Sequence, residues 1–281
     1  MSAYRNRLLE MVDQGIVPLG MQCFTGNGAL IEVLGLTGYD FVMIDTEHSA
    51  NNPRALEDTI RAANYVNLVP LVRVPSFDDE PSIRRALEAG AEGIFLPMVK
   101  SAADIKTAAD AAFFPPLGNR GICPSVRATG YAFSDFNEYA KRNNEATILV
   151  PLIEHPDAVE NIEEICALPE VSMVIFGVGD LSFAMGEGVK QLRSPKVQAA
   201  YRKVMDAAAK YDVPVVGGPN LDPTPETCLD ALEMGVKVFT LGLDIMAFRR
   251  ACEGMVNDLY TASQKSKLSR PTPPPSGFPA R

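Results

Sequence analysis

The chain has 281 residues but no tryptophan, only two histidines and five widely spaced cysteines. Because the cysteines are odd in number and form no Cys-x-x-Cys pair, they are typical of reduced thiols and not of a disulfide framework. No stretch approaches the ~18 consecutive apolar residues that a membrane-spanning helix needs, and the first residues lack the apolar core of a signal peptide. We therefore expect a cytoplasmic protein without a membrane partner.

Positive charge is also scarce. Lys and Arg number 26 against 35 Asp and Glu, which gives a formal net charge of −9. Nucleic-acid binding needs a basic face, so this balance argues against a nucleic-acid partner. The 47% hydrophobic and 22% charged residues are typical of a globular protein, and the length suits a single α/β barrel of about 250 residues.

What the sequence does contain is a repeating unit. Each unit has a helix with apolar residues three and four apart, then a glycine, then a short β-branched run that ends in a polar residue. Residues 81–90 and 225–235 are two predicted helices of this kind, followed by the runs 93–98 and 238–244. Their proline in the first turn and glycine after the last turn are ordinary start and stop signals.

Eight such runs are predicted as strands, and they begin at Val17, Asp40, Val69, Gly93, Thr147, Met173, Val213 and Val238. Nearly continuous apolar strands indicate a parallel sheet that is buried on both faces. Eight repeats favour a closed (β/α)₈ TIM barrel. An open doubly wound sheet is the alternative, but no Gly-x-Gly-x-x-Gly string follows a strand to support it.

The predicted domain organisation is simple. Residues 1–262 form one barrel domain with an N-terminal helix. Residues 263–281, rich in Ser, Pro, Lys and Arg, form a flexible tail, because such a segment cannot offset its ordering entropy by burial. The segment 101–146 is longer than a helix alone needs, and we expect it over the barrel mouth or at a subunit contact.

Chemistry in a barrel of this kind occurs where the strands end, because loops and side chains of several strands meet there. The polar residues at the predicted strand ends are Asp45, Glu47, His48, Arg73, Glu154, His155, Asp180 and Asp244.

Glu154 and Asp180 close two adjacent apolar runs. Two carboxylates that lie close in a half-buried mouth share a proton or bind a cation, since their repulsion disfavours two bare charges. A hard divalent ion such as Mg²⁺ fits one or two carboxylates, whereas zinc prefers His or Cys ligands. A role as helix N-cap is the alternative for each acid.

Three further side chains have more than one possible role. His48 follows Asp45 by three residues, so a dyad is possible in which the acid fixes the imidazole tautomer, and a purely structural histidine is the alternative. Arg73 stands inside an apolar run and needs an anion, either a buried carboxylate or a substrate acid group. Lys100, after the fourth predicted strand, offers Schiff-base chemistry without metal.

In order and spacing, the chain resembles the HpcH/HpaI aldolase family, the metal-dependent class II pyruvate aldolases, through the strings GYDFVMIDTEHSANN, LVRVP, LEAGAEGIFLPMV, GNRGICPS, PLIEHPDAVENI and FGVGDLSFAMG. The resemblance covers roughly residues 17–250. It implies a barrel of the phosphoenolpyruvate/pyruvate-domain type and small-molecule substrates, pyruvate and an aldehyde. It also implies a homo-oligomer, a hexamer built as a trimer of dimers, with exchanged C-terminal helices.

The resemblance further implies roles for single residues. Glu154 and Asp180 are the metal carboxylates, for Mg²⁺, Mn²⁺ or Co²⁺. Arg73 reaches the C2 oxygen of the substrate, and His48, paired with Asp45, is the general base.

Other implied roles concern the surroundings of the substrate. The backbone of Gly177, Val178 and Gly179 forms part of the cradle for the substrate carboxylate. Glu88 is the acid that approaches the active site of a neighbouring subunit. Leu152 stands where the family often has a glutamine, so a hydrogen bond to the bound oxo acid is lost at this substrate-binding position.

The expected activity is that of a carbon–carbon lyase, a 4-hydroxy-2-oxo acid aldolase. One alternative is an oxaloacetate decarboxylase and carbon–carbon bond-forming enzyme like the related macrophomate synthase. The others are a Lys100-dependent lyase without metal and a non-catalytic barrel that binds an oxo acid.

Overall fold

The computed structural model describes residues 4–188, 191–219 and 223–265, which contain a closed barrel of eight parallel strands. The strands are β1 (Leu19–Cys23), β2 (Phe41–Asp45), β3 (Val69–Arg73), β4 (Gly93–Leu96), β5 (Ile148–Ile153), β6 (Val174–Phe176), β7 (Val215–Gly217) and β8 (Val238–Leu243). Each lies within one of the eight predicted runs. The predicted barrel is therefore confirmed, and the pairing of β1 with β8 excludes the open sheet.

Helices connect the strands and cover the barrel. They are α1 (Arg7–Asp13), α2 (Gly28–Leu36), α3 (Pro53–Tyr65), α4 (Glu80–Ala89), α5 (Ala102–Ala112), α6 (Phe136–Ala146), α7 (Pro156–Glu160), α8 (Ile162–Cys166), α9 (Val178–Ala184), α10 (Pro195–Lys210), α11 (Pro225–Glu233) and α12 (Asp244–Lys265). The predicted stop signal operates at α4, where Gly90 takes a φ of 103° that favours glycine.

The alternation of the strands decides which side chains reach the mouth. Phe41 and Met43 of β2 pack inside the barrel with Leu71 of β3. Because side chains alternate along a strand, the last residues of these strands, Asp45 and Arg73, also point inward, at the carboxyl end of the barrel. α1 lies across the opposite end, where Leu8 joins the inner core.

The long segment between β4 and β5 folds partly against the far end of the barrel. Arg127 donates from its guanidinium to the carbonyl of Ala89 at the end of α4, at 2.7 Å, and Arg61 of α3 donates to the Tyr131 hydroxyl at 3.0 Å. Because the helices run opposite to the strands, these helix ends lie away from the mouth. Placement of this part over the mouth is therefore wrong, and a subunit contact stays a prediction.

α12 extends past the predicted start of the tail. Its residues 263–265 continue the helix, whereas the remainder of the predicted tail lies outside the described residues. Within the described ranges, the structure contains no helix that is both long and apolar enough to cross a membrane.

Candidate active site

Glu154 lies directly after β5 and is only 4% exposed at the barrel mouth. Its Oε1 accepts a hydrogen bond of 2.7 Å from the backbone N–H of Met98, which follows β4. Met98 has a φ of 54°, an uncommon conformation for a side chain of this size. A strained backbone that donates to a buried carboxylate is characteristic of a functional site.

Burial raises the pKa of Glu154 to about 7. The charges of Glu47 and Asp180 act in the same direction, because each disfavours a second negative charge nearby. The Met98 N–H and Arg73 oppose this rise. Glu154 is therefore a buried acid within the electrostatic field of two others.

Gly177 packs directly against Glu154. A Cβ at this position would lie 2.5 Å from the Cβ of Glu154 and 2.8 Å from its Oε2. Both distances are shorter than real contacts, so only glycine fits beside this carboxylate. Close packing against Glu154 therefore explains why the Gly177-Val178-Gly179-Asp180 string begins with glycine.

The sequence pattern predicted that Asp180 ends a strand, but the structure places this residue in a helix. β6 ends at Phe176, Gly177 occupies the N-cap position, and Asp180 lies in the first turn of α9, exposed to solvent. The apolar run continues through Val178, so the sequence pattern does not show where the strand ends and the helix begins. Asp180 still acts electrostatically on Glu154, which follows the neighbouring strand.

Arg73 is 8% exposed and is held by two acids. Its Nε donates to Asp45 Oδ1 at 2.6 Å, and its terminal nitrogen lies 3.1 Å from Glu47 Oε2. Of the two anions that the sequence allowed for Arg73, the buried carboxylate is therefore present. The charge of this fixed guanidinium opposes the rise in the pKa of Glu154.

The predicted pairing of Asp45 with the His48 ring is corrected by the structure. The fully buried Asp45 accepts from the backbone N–H of His48 at 3.0 Å and from that of Glu47 at 3.3 Å. An aspartate at a strand end bonds readily to the amides of its own turn, and this local geometry outcompetes the dyad. Asp45 positions Arg73 and the turn.

The His48 ring lies instead beside Glu47. His48 Nε2 is 3.7 Å from Glu47 Oε2, and the histidine side chain is 60% exposed. Burial raises the pKa of Glu47, while the charges of Arg73 and His48 lower it. Glu47 Oε2 is buried and accepts no hydrogen bond from the described residues, although Arg73 pairs with it electrostatically. Glu47 was among the candidate residues, but spacing gave it no role.

The other sequence candidates lie at the edge of the site or away from it. Leu152 is buried on the inner face of β5, below Glu154. His155 N-caps α7 through Nδ1, which accepts from the Asp157 N–H at 3.1 Å. Glu88 lies on α4, 3.4 Å from Arg84, in the outer helical layer. Lys100 is exposed beyond β4.

Two groups at the mouth gave no usable sequence signal. The ring of Phe24 lies 5.8 Å from the guanidinium carbon of Arg73, and the backbone of Met98 binds Glu154. Phe24 is the last residue of an apolar run, and Met98 makes its contact through the backbone N–H. Neither contact leaves a pattern in the chain.

The donor set at the mouth suits a hard cation. Asp45, Glu47, Glu154 and Asp180 supply four carboxylates against one guanidinium. All but Asp180 are buried or half-buried, and a surplus of negative charge in such a place favours a bound cation. The described part of the chain contains no group of three or more His, Cys, Asp or Glu side chains arranged to hold a metal. Two carboxylates with water and substrate oxygens are a common ligand set for Mg²⁺.

Comparisons with known proteins show the family of the chain. The sequence profile described as HpcH/HpaI aldolase/citrate lyase matches residues 20–251. A hydroxypyruvate/pyruvate aldolase of Agrobacterium fabrum is 30% identical over 280 residues, which cover 99% of this chain and 100% of that protein.

Solved structures show the same relationship. An HpcH/HpaI aldolase/citrate lyase family protein from Burkholderia cenocepacia has a TM-score of 0.83 at 27% identity, covering 90% of this chain and 99% of that one. Macrophomate synthase has a TM-score of 0.81 at 25% identity, covering 94% and 95%. The citrate lyase beta subunit of M. tuberculosis, solved with oxaloacetate and magnesium, shares only the fold, at 16% identity and a TM-score of 0.54 over 82% and 93%.

Proposed function

The chain belongs to the HpcH/HpaI aldolase/citrate lyase family and is a carbon–carbon lyase, and from this premise we propose a divalent-metal-dependent aldolase that joins pyruvate C3 to an aldehyde or reverses that reaction. In the cleavage direction its substrate is a 4-hydroxy-2-oxo acid. One observation carries the proposal: the buried Glu154 carboxylate lies at the strand ends, within the electrostatic field of both Asp180 and Arg73.

Glu154 and Asp180 are the residues that would hold the divalent ion, Mg²⁺, Mn²⁺ or Co²⁺. Dependence on a divalent metal is typical of the family. When bound, the ion polarises the keto group of the 2-oxo acid and acidifies the protons on C3. The Met98 N–H holds Oε1 of Glu154 in place, so the carboxylate loses little freedom on binding.

Arg73 addresses the C2 oxygen of the substrate. As the bond at C3 breaks or a C3 proton leaves, negative charge develops on this oxygen, and a fixed guanidinium stabilises it without reorganising. Asp45 and Glu47 hold the guanidinium on two nitrogens. The negative charges of Asp45 and Glu47 balance the positive charge of the buried Arg73 when no substrate is bound.

His48 acts as the base that takes the proton from the 4-hydroxyl during cleavage. Its exposed ring lies at the mouth, where an aldehyde enters and leaves. Glu47 takes over the orienting role that the sequence gave to Asp45, because its Oε2 is the acid atom nearest the ring nitrogen.

The substrate carboxylate binds at the start of α9. The first N–H groups of a helix have no partner within the helix, and Val178 and Gly179 supply them here. Gly177 contributes by shape, because its own N–H donates to the Ile153 carbonyl at 3.0 Å. Leu152 forms an apolar floor below Glu154.

A second candidate reaction shares these steps. Decarboxylation of oxaloacetate also yields the pyruvate enolate, and the likeness to macrophomate synthase at a TM-score of 0.81 favours it. The two reactions differ only in whether C3 loses carbon dioxide or an aldehyde.

The active assembly is a hexamer in which α12 packs on a neighbouring subunit. α12 leaves Phe248, Met255 and Leu259 between 58% and 64% exposed, and none of the described side chains of α11 is buried. Apolar helix faces of this size cover one another in oligomers. Glu88, on the outer layer, is then available to a neighbour.

Exchange of the pyruvate C3 protons with solvent deuterium tests the proposal. A chelator should abolish the exchange, and Mg²⁺, Mn²⁺ or Co²⁺ should restore it. Borohydride added with pyruvate should leave the protein mass unchanged. Exchange that persists with chelator, together with a reduced adduct on Lys100, would establish the metal-free lyase instead. Folded protein that binds oxalate but shows no exchange would indicate a non-catalytic barrel.

A further inference from the structure

Asp244, the first residue of α12, reaches from the last strand to the first loop of the barrel. Its Oδ1 accepts the backbone N–H of Phe24 at 3.0 Å, and its Oδ2 accepts the backbone N–H of Thr25 at 3.1 Å. The Thr25 hydroxyl adds a third bond of 2.5 Å to Oδ2. The carboxylate is only 6% exposed. These bonds fix the loop after β1.

That loop carries an aromatic ring to the active site. The Phe24 ring centroid lies 5.8 Å from the guanidinium carbon of Arg73, within the range of a cation–π contact. Asp45 and Glu47 hold the nitrogens of the same guanidinium. The guanidinium of Arg73 is therefore held by two acids and lies over the Phe24 ring, whose loop is bonded to Asp244.

We propose that Asp244 is a positioning residue for the lyase reaction, which acts through Phe24 to orient the guanidinium of Arg73 toward the C2 oxygen of the bound oxo acid. The inference rests on the proposed function. It assigns Asp244 no contact with substrate or metal. It also makes the first residue of α12 part of the active-site support.

A buried acid such as Asp244 can stabilise the fold, or it can orient a residue of the active site. A residue that only stabilises the fold lowers the melting temperature without changing the chemistry of the folded fraction. A residue that orients Arg73 lowers kcat more than it changes the KM for pyruvate, because the arginine is needed most as charge develops on the C2 oxygen. A misplacement of about 1 Å can cost on the order of 100-fold in rate.

The test measures C3 proton exchange in the magnesium-loaded enzyme for Asp244→Asn, Phe24→Leu and the double variant. We expect Asp244→Asn to lower kcat by about 10- to 100-fold with a change in KM of less than about threefold. Phe24→Leu keeps an apolar side chain but removes the aromatic face and should lower kcat about 10-fold. The double variant should be no worse than Asp244→Asn, because both changes interrupt one path.

Asp40→Asn is the matched control, since Asp40 holds the other end of β1. Its Oδ2 accepts the Leu19 N–H at 2.9 Å, at the end of the strand away from the mouth. This variant should lower the melting temperature and leave kcat unchanged.

A second readout uses metal-free protein. Phenylglyoxal modifies accessible arginines, and peptide mapping reports the rate at Arg73, which is buried in the wild type. We expect this rate to rise severalfold in Asp244→Asn and Phe24→Leu but not in Asp40→Asn. If Asp244→Asn does not fold, Phe24→Leu decides by the same two readouts.

The proposal is overturned if Asp244→Asn keeps kcat within twofold of the wild type, or if the losses from Asp244→Asn and Phe24→Leu multiply in the double variant. It is also overturned if Asp40→Asn loses as much kcat as Asp244→Asn. Failure of the proposed function looks different, because the wild type itself then shows no exchange.

Discussion

At the scale of single residues, Gly177 controls the shape of the site. Gly177→Ala would push a methyl group into Glu154, so we expect an affinity for Mg²⁺ at least about 10-fold lower and a loss of stability of about 1–3 kcal/mol from overpacking. Titration calorimetry and thermal melts measure the two effects. Gly179→Ala is the control, because a Cβ there meets nothing within 4 Å. Unchanged metal affinity in Gly177→Ala would contradict the assigned role of Glu154.

Unlike Gly177, His48 is exposed at the mouth, with its Nε2 3.7 Å from Glu47 Oε2. We expect His48→Ala to lower aldol turnover by about 100-fold or more and to leave pyruvate binding nearly unchanged, since a base acts only in the transition state. Steady-state kinetics and pyruvate titration check the difference. Equal losses in turnover and binding would show that His48 only holds substrate.

The residues also show where prediction from sequence ended. Arg73 and Glu154 were predictable as site residues, because a charged residue in or next to an apolar run needs a partner or a function. The partner of His48 was not predictable, since Asp45 and Glu47 are both near it in sequence. Backbone geometry of the turn after β2, which leaves no sequence pattern, gives Asp45 to the amides and Glu47 to the ring.

At the scale of elements, α1 meets a half-buried acid, Glu92, at the end of the barrel away from the mouth. Asn6, which caps α1, donates to Glu92 at 3.4 Å, and burial raises the pKa of Glu92. A raised pKa means that the folded state binds the proton more tightly than the unfolded state. This acid therefore costs stability once the pH exceeds its ordinary value, and the cost grows until the pH passes the raised pKa.

Glu92→Gln should accordingly raise the melting temperature by a few degrees at pH 8 and by nothing near pH 4. Glu32→Gln, on the exposed surface of α2, is the control and should show no pH-dependent gain. A gain for Glu92→Gln that is equal at both pH values would mean that the carboxyl charge is not its origin.

Elements were predictable to different degrees for a physical reason. Strands buried on both faces leave continuous apolar runs, so all eight were found. The end of β6 was misplaced because the apolar run that forms it continues past Phe176 into α9. The support that α12 gives to the β1 loop spans 220 residues and is invisible to local patterns.

At the scale of the whole molecule, the barrel alone leaves apolar helix faces uncovered. Phe248→Asp combined with Leu259→Asp on α12 should reduce the native mass measured by light scattering, because charges on this face oppose packing against another subunit. Removal of residues from Arg270 onward should leave the mass unchanged. An unchanged mass in the charged variant would show that α12 does not join subunits.

The central claim is that Glu154 and Asp180 together hold a divalent ion at the mouth of this barrel. Calorimetric titration of Mn²⁺ into metal-free protein tests it most directly, with Glu154→Gln, Asp180→Asn and the surface control Glu32→Gln. We predict one site in the wild type and in the control, and an affinity at least about 10-fold lower in each active-site variant, with the fold unchanged by circular dichroism. Wild-type affinity in either active-site variant would contradict the account.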